Sequence, residues 1–170
     1  MKSAALMMVL GLLLAGAGAP PSIFAADQAT PQEIVQKVRE ARELLKGTGE
    51  TKLSEFNSKD SKWIWKDTYV FVVDCEKVVV VGHPINQNLL NRDMIGLKDI
   101  KGNYFFVQYC EMAREDGDGW IEYWWPKPGQ EKPSRKISYI SRVPDSTLTV
   151  GSGIYDETIT LDELKRLLNR

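Results

Sequence analysis

The sequence has very little histidine and cysteine, and this scarcity excludes several kinds of reactive site. His83 is the only histidine among 170 residues, so a zinc site built from several histidines is impossible, and a Ser-His-Asp triad would have to use it. The chain also lacks the Gly-x-Ser-x-Gly, His-Glu-x-x-His and phosphate-loop patterns. Catalysis therefore has little support, and an enzyme would need His83 or Cys75 as its reactive group.

Two glycine-containing segments are weak candidates for a cofactor or a metal. The Gly151-Ser152-Gly153 segment lacks the strand-to-helix context of a dinucleotide loop and is typical of glycines in a crowded strand. Asp116 and Asp118 match a calcium loop only in part, so a glycine turn is the better interpretation. We expect no cofactor and no metal.

An excess of one charge is also missing. The chain has 22 basic and 23 acidic side chains and a formal net charge of −1. A surface that binds nucleic acid is normally strongly basic. The sequence therefore argues against a nucleic-acid partner.

Long hydrophobic runs are absent except at the N-terminus. Lys2 is followed by the apolar run Ala4–Ala15, which is too short to span a bilayer comfortably and suits the core of a signal peptide. The small residues Ala25 and Ala26, which follow Phe24, offer a cleavage site after either alanine. We predict a cleaved signal peptide over residues 1–26 and one periplasmic domain over residues 27–170. The alternative is an N-terminal membrane anchor that is never cleaved.

The two cysteines, Cys75 and Cys110, are 35 residues apart. Two cysteines in an exported chain favour one disulfide. The alternative is a pair of buried free thiols.

The pattern of helix and strand signals predicts an α+β fold. Thr30, Pro31 and Glu33 form a helix start with a capping box, and Thr160 with Glu163 repeats that box near the C-terminus. Five short strands with mostly hairpin-scale links favour an antiparallel sheet covered by helices. The predicted order is a helix over 31–46, strands over 65–73 and 77–83, a long loop over 84–98, a helix over 103–114, strands over 120–125, 135–143 and 148–155, and a helix over 160–169.

Aromatic residues are too numerous for random use on a surface. The group comprises Trp63, Trp65, Tyr69, Phe71, Tyr104, Tyr123, Trp124, Trp125 and Tyr139. Strand alternation places Tyr123 and Trp125 on one face and Trp124 on the other. Most of these rings are expected in the core, and some are expected to line a ligand cavity.

Lys136 lies inside a predicted strand, close in sequence to Tyr139. A strand lysine among aromatic rings could bind a carboxylate, which tyrosine hydroxyls would orient. The alternative is a solvated strand face. Arg135 is the competing cation and points to the other face.

A series of short motifs then resembles a known family. In chain order they are Phe71-Val-Val-Asp74, Val81-Gly-His83-Pro84, Asn88-Leu89, Gly96, Gly119-Trp-Ile-Glu-Tyr123-Trp-Trp-Pro126, Lys136-Ile-Ser-Tyr139 and Val150-Gly-Ser-Gly-Ile-Tyr155. Over residues 31–169 the chain resembles the single Cache domain of type 2, the extracytoplasmic PAS-like sensor module of bacterial chemoreceptors and histidine kinases.

This resemblance implies a five-stranded antiparallel sheet, a long N-terminal helix and a pocket on one sheet face that binds a small organic acid of the acetate, propionate, lactate or pyruvate class. Lys136 would pair with the carboxylate, and the implied pocket residues are Tyr69, His83, Tyr104, Trp124 and Tyr139. Receptors of this family flank the domain with membrane helices, whereas here we expect only a signal peptide. A separate membrane sensor kinase or chemoreceptor is therefore the implied partner, and the N-terminal helix could pair with a second copy of the chain.

Three functions follow as hypotheses. The first is a periplasmic binding protein that senses or presents a short carboxylate. The second is a structural or protein-interaction module whose pocket is a filled core. The third is an enzyme that uses His83 or Cys75.

Overall fold

A five-stranded antiparallel sheet forms the centre of the molecule. The computed structural model describes residues 27–168, so the predicted signal peptide lies outside the described residues. No helix within residues 27–168 has the length and apolar character that crossing a membrane requires. The α-helices are α1 (Pro31–Thr48), α2 (Phe105–Glu115) and α3 (Leu161–Leu168). Two 3-10 helices lie at Gly49–Asn57 and Gln87–Leu89. The strands are β1 (Ile64–Trp65), β2 (Thr68–Tyr69), β3 (Phe71–Asp74), β4 (Val79–Gly82), β5 (Asp118–Pro126), β6 (Pro133–Arg142) and β7 (Leu148–Ile154).

The order of strands in the main sheet is β4-β3-β7-β6-β5, and every neighbouring pair is antiparallel. Short hairpins join β3 to β4, β5 to β6, and β6 to β7, whereas the connection from β4 through α2 to β5 crosses from one edge of the sheet to the other. The predicted α+β fold, with five strands in one antiparallel sheet and a long N-terminal helix, is confirmed.

Helix α1 begins as its sequence predicts. The Thr30 hydroxyl accepts a hydrogen bond from the Glu33 backbone N–H, and the Glu33 carboxylate accepts one from the Thr30 N–H. This reciprocal pair satisfies two backbone donors that the first turn leaves free. The residues that recur at helical spacing are buried against β6 and β7, namely Ile34, Val38, Ala41 and Leu45.

The prediction of one continuous strand over residues 65–73 is wrong. A tight turn interrupts it, because Lys66 has φ 48° and Trp65 pairs with Thr68 across the turn. The pattern of β-branched and aromatic residues does not record a positive φ at a lysine, so composition alone predicted a single strand. The break sends Tyr69 towards one face of the main sheet.

Strand alternation divides the buried side chains into two cores. One lies between the sheet and helices α1 and α3, and it contains Val72, Trp120, Ile137, Tyr139, Val150 and Leu164. The other lies between the sheet and α2, and it contains Tyr69, Phe71, Phe105, Tyr109, Tyr123 and Ile140. Successive residues of one strand therefore contribute to opposite cores.

The predicted disulfide is present in the structure. Cys75 directly follows β3, Cys110 lies in α2, and their Cα atoms are 5.2 Å apart. The Arg114 guanidinium also donates a hydrogen bond of 2.9 Å to the Cys75 carbonyl. The two contacts fasten α2 to the sheet, on the face that holds the second core.

We expect Cys75→Ala or Cys110→Ala to lower the free energy of unfolding by about 3–4 kcal/mol, since either change releases a closed loop of this length in the unfolded chain. Urea unfolding with and without a thiol reductant measures the effect. The wild-type protein should lose stability in the reductant while either variant should not respond. A variant as stable as the oxidised wild type would contradict the prediction.

Candidate functional site

Lys136 lies in the middle of β6 on the face that α2 covers. It is 1% exposed, which excludes the alternative of a solvated strand face. Its ammonium nitrogen Nζ lies 4.3 Å from the centre of the Tyr69 ring, 5.1 Å from that of Tyr155 and 5.2 Å from that of Phe71. Aromatic faces attract a cation at these distances. The sheet therefore holds a buried cation inside a wall of rings.

This buried cation has no anionic partner within the described part of the chain. Among residues 27–168, no carboxylate lies within 4.0 Å of its Nζ. Asp67 is the one acid whose charge favours the ammonium, and its carboxylate accepts a hydrogen bond from the Ala29 N–H. Burial lowers the pKa of Lys136 to about 7. An anion placed beside Nζ would supply the missing charge.

A glycine makes room for this lysine on the neighbouring strand. A Cβ atom at Gly153 would collide with the Ser138 hydroxyl oxygen, and it would lie 2.7 Å from the Ile137 carbonyl oxygen and 3.0 Å from the Lys136 Cε. Because one of these atoms belongs to the backbone, it cannot move aside easily. Gly153 thus lies in a crowded strand, as its sequence context indicates, and Lys136 is one of the neighbours that leave no room for a side chain there.

His83 presents a neutral hydrogen-bond donor. It is 4% exposed, and its Nδ1 accepts a hydrogen bond of 2.9 Å from the Asn86 N–H. The ring proton therefore resides on Nε2. Burial, together with the positive charge of Lys136, lowers the pKa of His83 to about 3, so the ring stays uncharged. A ligand oxygen could accept from Nε2.

Two tyrosine hydroxyls are oriented by neighbouring polar groups. The Tyr69 hydroxyl accepts a hydrogen bond of 3.1 Å from the Trp125 indole N–H, which leaves its own proton free to donate. The Tyr123 hydroxyl lies 2.9 Å from the Ser138 hydroxyl. Burial raises the pKa of Tyr69 to about 12 and also raises the pKa of Tyr123. Both hydroxyls therefore remain protonated near neutral pH.

The groups described above line a small cavity. Its volume is about 10 Å³. That space suits about one water, far below the volume of a site for a drug-sized ligand. A ligand with several heavy atoms must therefore displace rings of the wall. The lining residues are Tyr69, Phe71, His83, Phe105, Phe106, Tyr123, Trp125 and Lys136.

Lys136, Tyr69 and His83 are thus brought together, but three other predicted site residues lie elsewhere. Tyr139 is fully buried in the core on the α1 side, and its hydroxyl donates to the Asp118 carboxylate. It is three positions from Lys136 in an extended strand, so the two side chains point to opposite faces. Its predicted place in the pocket is wrong.

Trp124 and Tyr104 also lie outside the cavity. Trp124 pairs in register with Arg135, which places it on the face opposite the cavity, and its ring lies 5.0 Å from the Lys101 ammonium. Tyr104 precedes α2 and is 45% exposed, with the Lys98 ammonium 4.5 Å from its ring. Both predicted placements are wrong, because resemblance located the motifs without locating the faces on which their side chains lie.

Sequence reasoning missed five members of the wall, namely Phe71, Phe105, Phe106, Tyr123 and Trp125. A signal for two of them was present, since Tyr123 is the partner of Lys136 across the strand pair and Trp125 follows two residues later. No sequence signal brings Phe105 and Phe106 to this site, because they lie on α2, which only the tertiary structure places over the sheet.

Arg135 is not a competing anion site. Its guanidinium forms a salt bridge with Glu122 at 2.5 Å and donates to the backbone carbonyls of Asp156 and Ile159 at 2.7 and 2.9 Å. This arginine ties the segment between β7 and α3 to the sheet. The described residues also contain no group of three or more His, Cys, Asp or Glu side chains suited to a metal ion.

Comparison with known proteins gives a consistent result. Residues 34–160 match the family model described as the Cache domain. Methyl-accepting chemotaxis protein McpP of Pseudomonas putida is 30% identical over 101 residues, which are 59% of this chain. The match spans only 18% of that protein's length.

Solved structures share the fold. One solved structure concerns carboxylic acid recognition by a Cache chemosensory domain. It is 26% identical to this chain with a TM-score of 0.61, and the match covers 74% of this chain and 92% of that domain's chain. A periplasmic sensor domain of a chemotaxis protein is 28% identical with a TM-score of 0.58, covering 75% and 90%. A methyl-accepting chemotaxis protein from Vibrio parahaemolyticus, at 20% identity and a TM-score of 0.61 over 76% of this chain and 90% of its own, supports the fold alone.

The buried lysine should weaken folding. Burial lowers its pKa from 10.5 to about 7, so between these values the unfolded chain binds a proton that the folded protein does not. Stability therefore falls as pH drops from 10.5 to 7 and is constant below. Lys136→Met should raise the free energy of unfolding at pH 7 by about 2–4 kcal/mol, after allowing for attraction between the ammonium and the rings. The gain should shrink as pH approaches 10.5.

Urea unfolding at several pH values measures this difference. The control is Lys132→Met, which makes the same change of charge at an exposed lysine and should leave stability nearly unchanged. Equal or lower stability of Lys136→Met at pH 7 would contradict the prediction.

Proposed function

Because this chain belongs to the Cache domain family, we propose that it is a periplasmic binding protein for a short organic carboxylate, which the Lys136 ammonium holds. The acid is of the acetate, propionate, lactate or pyruvate class. The observation that carries the proposal is a fully buried cation without an anionic partner among the described residues, facing a cavity walled by aromatic rings. A carboxylate would supply the missing negative charge, and its short carbon chain would contact the rings.

Further groups support a carboxylate over a neutral ligand. His83 Nε2–H and the Tyr69 hydroxyl can both donate to an oxygen, and carboxylates accept several donors at once. A hydrogen bond to a charged group contributes about 1.5–3 kcal/mol. Each such hydrogen bond should therefore tighten binding by about 10–150-fold.

The small volume limits the ligand. A second carboxylate would need a second buried cation, and Lys136 is the one cationic side chain among the described residues that line the cavity. A dicarboxylate would leave one charge desolvated and unpaired, which is costly. The proposal therefore specifies monocarboxylates.

One observation favours the alternative hypothesis, in which the pocket is a filled core and the protein is an interaction module. The rings leave space for only about one water. Under this alternative no small acid displaces the rings, and Lys136 has a structural role only. In the oxidised protein Cys75 is bonded to Cys110 and has no free thiol. This bond argues against an enzyme that uses Cys75 as its reactive group.

The test is a thermal-shift panel of metabolites, including acetate, propionate, lactate, pyruvate and dicarboxylates. We expect monocarboxylates to raise the melting temperature of the wild-type protein and of Lys132→Met, and to have no effect on Lys136→Met, because that variant lacks the cation. If none of these acids raises the melting temperature of the wild type, the alternative of a filled core is favoured. If the acids stabilise Lys136→Met as much as the wild type, Lys136 does not hold the carboxylate.

Two tyrosine variants test the placement of the site. Tyr139→Phe removes a hydroxyl on the far face of the sheet, so ligand-induced stabilisation should be retained even though the free protein becomes less stable. Tyr69→Phe removes a hydroxyl in the cavity wall and should weaken binding by about 10–150-fold, the loss expected for one hydrogen bond to a charged group. If Tyr139→Phe weakened ligand binding and Tyr69→Phe did not, the assignment of the site to the cavity beside Lys136 would be contradicted.

The proposal extends to location and signalling. A disulfide forms and persists in an oxidising compartment, which supports an exported protein together with the apolar N-terminal run. The relatives that share the fold are methyl-accepting chemotaxis proteins. We propose that the ligand-bound protein is recognised by a membrane chemoreceptor or sensor kinase.

We also propose a homodimer through α1. The support is an apolar groove between α1 and α3, lined in part by Pro31, Val35 and Leu167. Burying this groove against a second copy would cover apolar surface. Sedimentation should show a dimer that Val35→Glu dissociates, while circular dichroism checks that the variant stays folded. A monomer at all concentrations of the wild type would contradict the proposal.

A further inference from the structure

The electrostatic surroundings of Lys136 are unusually simple. Four elements place a titratable group against it, namely Tyr69 of β2, His83 after β4, Tyr123 of β5 and Tyr155 after β7. Helix α2 contributes only Phe105 and Phe106 to the cavity wall, and Tyr109 to the core beside it. The turn between β1 and β2 contributes the more distant Asp67.

These neighbours do not change their charge near neutral pH. Burial raises the pKa of Tyr69 to about 12 and raises the pKa values of Tyr109, Tyr123 and Tyr155 as well. Burial lowers the pKa of His83 to about 3. Only Lys136 can therefore gain or lose a proton in this cavity between pH 5 and pH 9.

The empty cavity is a poor place for an ammonium. Its nitrogen faces rings at 4.3 to 5.2 Å, forms no salt bridge within residues 27–168, and is almost completely removed from solvent. Desolvation favours the neutral amine, while a bound carboxylate favours the ammonium. The ligand and the proton should therefore stabilise each other in the site.

We infer that the carboxylate binds together with a proton, so that a neutral Lys136 amine in the empty site becomes an ammonium paired with the anion. The inference rests on the proposed function. The proton comes from solvent and adds to the lone pair of Nζ, and no other bond is made or broken. The net charge of the site is zero before and after binding, so no uncompensated charge is buried.

This coupling predicts a one-sided pH dependence. Below the pKa of the empty site, which is about 7, Lys136 already holds its proton, so affinity should be constant down to the range where the acid itself is protonated. Above that value the apparent Kd should rise by about tenfold for each pH unit, because each binding event must first take up a proton. The site would thus respond to acidification as well as to the acid.

Calorimetric titration of the purified protein with propionate tests the inference. The experiment compares two buffers of different ionisation enthalpy, at about pH 6 and at about pH 8.5. The difference between the buffers gives the number of protons taken up, which should be close to zero at the lower pH and to one at the higher. Asp67→Asn removes the acid that favours the ammonium, so the onset of weaker binding should move to lower pH.

Lys136→Arg supplies the second variant, because a guanidinium stays protonated throughout this range. If it binds propionate, proton uptake at the higher pH should disappear. Binding by the wild type with equal affinity at both pH values and no proton uptake would overturn the inference and leave the proposed function intact. Absence of carboxylate binding at both pH values would overturn the proposed function itself.

Discussion

The burial of one ionisable group, the Lys136 side chain, constrains the rest of the structure. The sheet places its terminal nitrogen where solvent cannot reach it, and among the described residues no acid pairs with it directly. Burying a charge alone is among the most costly arrangements in a folded protein. The rings of Tyr69, Phe71 and Tyr155 offset part of this cost. A site that tolerates such a cost without using it would be expected to lose the lysine to an apolar residue.

The rest of the fold holds the lysine in that position. The absence of a side chain at Gly153 leaves room for its methylene groups, and the disulfide together with Arg114 fastens α2 over the cavity. On the opposite face, Arg135 pairs with Glu122 and with backbone carbonyls. Adjacent residues of one strand thus differ in their partners. Arg135 is paired inside the protein, whereas Lys136 forms no salt bridge among the described residues.

The small volume of the cavity and the carboxylate hypothesis are compatible if ligand binding moves the wall. The rings of Phe105 and Phe106 lie at the start of α2 and follow the long loop after β4, whereas Cys110 anchors the helix further along. The disulfide holds Cys110 covalently, whereas only noncovalent packing against Tyr123 and Trp125 holds Phe105 and Phe106. Displacement of these rings by a small acid would pass the binding event to the surface of the domain.

The sequence by itself determined the α+β class, the capped helices and the pairing of the two cysteines, because each depends on local pattern or on the lack of alternatives. It failed at residues 65–73, where a positive φ at Lys66 breaks the strand, and at Tyr139, which strand periodicity places opposite the lysine. Only the tertiary structure decided which rings surround Nζ. Tyr69, His83, Phe105 and Tyr123 come from four separate segments, and the fold brings them to one cavity. Contacts between residues distant in sequence leave no periodic signal in the chain, so they had to be seen in the fold.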